Sequence, residues 1–126
     1  MKKIIIIILL LFMVGCNKKE EINSSIKVNT NELVISEQRV SDFSIKPISL
    51  FYEGGISSFS ISITNLKEID TKISKIEVQF LLENGTILTT IVDDSTYEIK
   101  AGETIYLSLK SDLDLSEIYS VNYIIS

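Results

Sequence analysis

Histidine and tryptophan are absent from this 126-residue chain, and cysteine and proline occur once each. Each scarcity removes a class of chemistry. Without histidine there is no imidazole to activate a serine or cysteine nucleophile and none to bind zinc. The single cysteine, Cys16, has no partner within the chain for a disulfide. Without tryptophan, so short a chain has little with which to wall the aromatic cleft that paired carboxylates need for glycoside hydrolysis. Positive charge is also short, 12 Lys+Arg against 17 Asp+Glu. That balance argues against a nucleic-acid partner and against lying flat on anionic lipid, both of which require a basic footprint. No catalytic residue emerges, so the chain reads as a non-enzyme that needs no cofactor.

What the chain does have is an abruptly divided N-terminus. Lys2 and Lys3 precede an unbroken apolar run from Ile4 to Val14, and Gly15 and Cys16 close it before the polar Asn17-Lys18-Lys19-Glu20-Glu21. This is the charged and then apolar layout of a secretory signal. The eleven apolar residues span roughly 16 Å as a helix, well short of a ~30 Å hydrocarbon core. The tetrapeptide Met13-Val14-Gly15-Cys16 resembles the lipobox of bacterial lipoproteins, with Met13 where leucine is usual. That resemblance implies cleavage before Cys16 and diacylglycerol attached to its sulfur, which disposes of the lone thiol. Two acyl chains anchor stably where one is marginal. Residues 1–15 are therefore expected to be a cleaved signal peptide, and 16–25 a lipidated cysteine with a polar tether. The expected location is the bacterial cell membrane, lipid-anchored on the extracytoplasmic side. Nine flexible tether residues reach roughly 15–18 Å, enough to lift a domain just clear of the headgroups. Lys18 and Lys19 read as solubilising linker residues. Without Lys2 and Lys3 the remaining 10 basic and 17 acidic residues give a net charge of −7.

From Phe43 onward the hydrophobic period is two. Phe59, Ile61 and Ile63 alternate with Ser58, Ser60, Ser62 and Thr64. Ile76, Val78, Phe80 and Leu82 alternate with Lys75, Glu77 and Gln79, and Ile105, Leu107 and Leu109 with Tyr106, Ser108 and Lys110. The last run puts Tyr119, Val121, Tyr123 and Ile125 on one side. Strict alternation marks half-buried strands. Asn84-Gly85, Gly54-Gly55 and Ala101-Gly102-Glu103 punctuate them as turns. Pro47 lacks an N–H, so its strand is expected at an edge or with a bulge. The parity change from Phe43 and Ile45 to Ile48 and Leu50 also predicts a bulge. Asp114 and Glu117 have capping-box spacing and predict one helical turn before the final strand. Residues 26–42 carry no clear period, although Leu33-Val34-Ile35 is compatible with a strand.

About seven short strands with frequent turns predict an all-β fold, an immunoglobulin-like antiparallel β-sandwich over residues 43–126. The stretch Phe43 to Ile125 resembles the Ig-like domains of bacterial envelope lipoproteins, the FxLYD type in particular. The resemblance rests on the strand ending Thr64-Asn65, on Val78-Gln79-Phe80-Leu81-Leu82-Glu83-Asn84-Gly85 and on Ala101-Gly102-Glu103-Thr104. It implies a fold and a cell-surface setting and no activity.

Two groups of residues are candidates for a site. Tyr106 falls on the polar face of its strand, and Tyr97 is expected near it across the sheet; exposed tyrosines suit a binding surface. Asp112, Asp114 and Glu117 offer oxygen ligands for calcium, but the segment has no glycine for a sharp calcium loop, and a helix cap accounts for the same spacing. The expected function is thus a lipid-anchored binding or structural accessory protein that engages another envelope protein. The alternative is a carrier of a soluble ligand or of calcium at the acidic cluster.

Overall fold

The computed structural model describes residues 26–126; the signal segment, Cys16 and the tether lie outside the described residues. The elements are β1 (Lys27–Val28), α1 (Glu32–Ile35), β2 (Gln38–Val40), β3 (Phe43–Glu53), β4 (Ile56–Asn65), β5 (Thr71–Ile73), β6 (Ile76–Leu81), β7 (Ile87–Asp93), β8 (Tyr97–Ile99), β9 (Thr104–Ser111) and β10 (Ser120–Ile125). The fold is nearly all β, and every strand pairing is antiparallel. The larger sheet runs β1-β3-β4-β9, with β2 also paired to β3. A second sheet runs β10-β6-β7, and β5 pairs with β8 as a separate ribbon. No helix among the described residues is long and apolar enough to cross a membrane.

Alternation decides the core. Phe59, Ile61 and Ile63 of β4, Ile76, Val78 and Phe80 of β6, and Val121 and Tyr123 of β10 all point inward and are buried. Phe59 joins the two sheets: its ring lies 5.5 Å from Phe80, edge to face, and 6.5 Å from Tyr123, stacked. These are the separations at which aromatic pairs attract. The β3–β4 hairpin turns at Gly54 and Gly55, both at positive φ, and the β6–β7 hairpin at Gly85 (φ 88°). In the latter, Leu82 N–H donates to Thr86 O, and Asn84 Oδ1 accepts from Thr86 N–H.

Residues 26–42 belong to the same folded unit. Leu33–Ile35, which the sequence leaves open to a strand, is a one-turn helix, because Asn31 caps it by accepting Leu33 N–H on its side chain. That turn drops Val34 into the core. Asn29 fastens the segment to the far end of the chain: its buried side-chain amide donates to Leu115 O (3.2 Å) and Ile118 O (3.0 Å). Gln38 does the same between sheets by donating to Val121 O at 2.9 Å.

Three further expectations are corrected. The bulge at Pro47 is present, with the register shifting between Pro47 and Ser49. However, Pro47 is the buried residue there and Ile48 is 58% exposed, since the extra residue is the one pushed out of the ladder. The strand is also not a free edge throughout: β2 and β1 cover its two ends and leave Pro47 in the gap between them. Leu82 and Tyr119, expected inward, are 37% and 38% exposed. Both lie just outside their strands, where the β6 register shift and the 112–119 loop end the alternation. The helical turn expected at Asp114–Glu117 is a simple turn instead. Asp114 Oδ1 accepts from Ser116 N–H two residues on, and Leu115 and Ile118 are buried beneath it.

Candidate functional site

The outward face of the larger sheet is lined with hydroxyls. Along β4 the serines opposite the core face outward, Ser58 and Ser62 nearly covered by their neighbours, and β9 lays the exposed Thr104, Tyr106, Ser108 and Lys110 alongside them. Ser62 and Tyr106 are cross-strand partners, as are Ser60 and Ser108. The hydroxyls of Thr64 and Thr104 are 2.7 Å apart, and Lys110 Nζ donates to Ser58 Oγ at 3.1 Å. Such short-range bonds between neighbouring strands fix the side chains of the face. Tyr106 projects from it with 72% of its surface exposed, the most exposed large side chain among the described hydrophobic residues. Among the described residues no pocket interrupts the surface, so what this face offers a partner is contact area.

Tyr97 is not part of it. It lies on β8, paired with β5 rather than with β9, and is packed half-buried against the core. Its hydroxyl donates to Asp93 Oδ2 at 2.6 Å. That bond, with burial, raises the Tyr97 hydroxyl's pKa. For Asp93, burial pulls upward, but the bonds from Tyr97 and from Ser95 outweigh it and hold the carboxyl below its ordinary range. The stabilisation from Asp93 is therefore present at neutral pH and is lost as pH falls through that lowered value.

The acidic cluster does not gather as a ligand set. Among the described residues no group of three or more metal-ligating side chains is assembled. The bonds from Ser116 engage Asp114 Oδ1, and Lys27 Nζ meets its Oδ2 at 3.1 Å. Those contacts lower the Asp114 carboxyl, the Ser116 bonds foremost. Cys16, the expected lipidation site, lies outside the described residues.

Among the described residues Tyr123 is the one ionisable group set deep between the sheets. Among the described residues its hydroxyl finds no hydrogen-bond partner, and burial pushes its pKa far above that of a free tyrosine. Above about pH 10 the unfolded chain loses this proton while the native state keeps it, so stability falls as pH rises, by up to ~1.4 kcal/mol per pH unit. Tyr123→Phe is expected to remove that share of the alkaline loss and to raise stability at pH 7 by about 1 kcal/mol, because an unpaired buried hydroxyl is gone. Urea unfolding of both proteins at pH 7 and in alkaline buffer measures it; an unchanged alkaline slope would contradict the assignment.

No family model matches the sequence, and no curated protein does. Among solved structures the chain is similar to a DUF1425 family member from Shewanella sp. pv-4, at 7% identity and a TM-score of 0.47, over 79% of this chain and 94% of that one.

Proposed function

We propose that the chain is a lipid-anchored accessory protein of the bacterial cell envelope, whose immunoglobulin-like domain binds another envelope protein through the outward face of its larger sheet. The observation that carries the reading is Tyr106, an aromatic side chain that is 72% exposed on a face it shares with hydroxyls, Lys46, Lys110 and a half-buried Phe51. Aromatic anchors ringed by small polar groups are where binding energy concentrates at interfaces. The immunoglobulin-like assignment is supported by strand order: β3, β4 and β9 share one sheet while β6, β7 and β10 share the other. The chain thus crosses between sheets as a Greek key does. The anchor is supported by the Gly15-Cys16 end of the apolar run, and a body of net charge −7 is repelled by anionic lipid, so it stands off the membrane.

Two experiments test the reading in the full chain expressed in a bacterium. Cys16→Ala is expected to abolish incorporation of labelled fatty acid and to leave an uncleaved precursor; normal labelling would remove the anchor from the proposal. A photo-crosslinking residue at Tyr106 is expected to give one adduct with a different protein, apart from any adduct with a second copy of this chain, while the same residue at Glu77, on the outer face of the second sheet, gives none. Indiscriminate adducts at both positions would overturn the binding face.

A further inference from the structure

Among the described residues the larger sheet ends on one side at β9, which pairs with β4 alone, along eight residues with no break in register. The bond from Asn65 N–H to Glu103 O sets the phase of this ladder. Antiparallel pairs alternate between bonded and non-bonded, so Ile105, Leu107 and Leu109 spend their backbone groups on β4. The N–H and C=O of Thr104, Tyr106, Ser108 and Lys110 point to the open side. Inside the sheet, Ile105 and Leu107 are only half-buried, whereas the inward residues at the centre of β4 are completely buried. The core is thus thinly covered beside β9, as it would be where a neighbouring strand is missing. Of the usual safeguards of an edge, β9 has one outward lysine, Lys110, near its end, and neither a proline, a bulge nor an inward charge.

We propose that β9 pairs antiparallel with β9 of a second copy of this chain. The strand is complementary to itself in one register. When Tyr106 pairs with Ser108 of the second copy, Thr104 pairs with its Lys110, and all four open residues are bonded, about eight ladder hydrogen bonds in all. A two-fold axis then passes between the two Leu107 side chains, and each Ile105 faces Leu109 across the seam, so apolar meets apolar on the inner face. Charge is compatible: Lys110 is the only charge between Thr104 and Ser111, and this register sets it opposite Thr104 of the second copy, so no like charges face each other across the seam. The hydroxyl-lined outer faces become one continuous surface. This inference stands independently of the lipid anchor.

Residues 26–126 contain the whole described core and are the fragment to test, together with the full chain in detergent. Sedimentation should show a reversible monomer–dimer equilibrium. Ser108→Pro deletes an open N–H without touching the β4 ladder, and should weaken dimerisation at least about tenfold while thermal unfolding of the dilute monomer stays nearly unchanged. Leu107→Cys should form an intermolecular disulfide on air oxidation, since non-bonded antiparallel pairs bring Cα atoms to about 4.5 Å. Cysteine at Tyr106, one register step off the axis, should not. A chain that stays monomeric at millimolar concentration overturns the proposal and leaves the edge to a strand of another protein. Dimers that ignore Ser108→Pro, or that cross-link equally at 106 and 107, place the contact elsewhere.

Discussion

Phe80→Ala is expected to destabilise the domain by about 3–5 kcal/mol, a large part of the 5–15 kcal/mol typical of a whole domain. Phe80 is fully buried on β6, and its ring meets Phe59 edge to face from the opposite sheet. Truncation removes the transfer free energy of the ring and opens a cavity at the point where the sheets touch. The loss of the aromatic pair adds to both. Ser60→Ala is the matched control. Ser60 is half-buried on the outward side of β4, one residue from Phe59, and the change should cost under about 0.5 kcal/mol. Urea unfolding of residues 26–126 and the two variants reads the difference directly. Equal costs would mean that the alternation of β4 and β6 is not what separates core from surface.

That alternation is also what made the sheets legible before any coordinates. Where a strand has one face on the core, period two leaves little freedom, and Phe59, Ile61, Ile63, Val78 and Phe80 lie where the sequence pattern puts them. Glycines located the hairpins because these turns use positive φ: Gly54 and Gly55 in a two-residue turn, and Gly85 at the end of the three-residue loop between Leu82 and Thr86. What the pattern misses is set by single hydrogen bonds between distant residues. Val34 reaches the core on a helix four residues long, too short to show a period. Asn29 and Asn65 look like ordinary loop or strand-end asparagines in sequence, yet both are buried. Their partners lie 86 and 34 residues further along, at Leu115 and Ile99, and no local rule announces that. The candidate site divides in the same way. Tyr106 is readable from strand parity alone, whereas Tyr97 is wrongly expected beside it because only the pairing of β8 with β5 takes it off that face.

Asn65→Asp is expected to be as damaging as the loss of a core side chain, although it changes one atom of the side chain and little of its volume. The Asn65 amide donates to Ile69 O and to Ile99 O, both at 2.9 Å, while its Oδ1 accepts Lys67 N–H at 2.9 Å. Its backbone bonds Glu103 O and Gly102 N–H as well. One buried side chain therefore holds the β4–β5 loop, the end of β8 and the turn that launches β9. Aspartate keeps the acceptor for Lys67 but turns the donor into a second oxygen aimed at two carbonyl oxygens. Both carbonyls lose their partner and a charge is buried beside them, which should cost roughly 3 kcal/mol at pH 7. Burial among acceptors favours the protonated acid, so the native carboxyl titrates above its unfolded value near 4. The native state then binds more protons between those values, and stability falls as pH rises through them. The deficit of Asn65→Asp should accordingly shrink at pH 4 and grow toward pH 7, whereas Asn65→Ala should show a smaller loss that does not follow pH in this way. Unfolding curves at the two pH values decide it. A pH-independent Asn65→Asp deficit would mean that the new carboxylate escapes to water, and that β9, with Tyr106 on it, is held in place by its ladder to β4 alone.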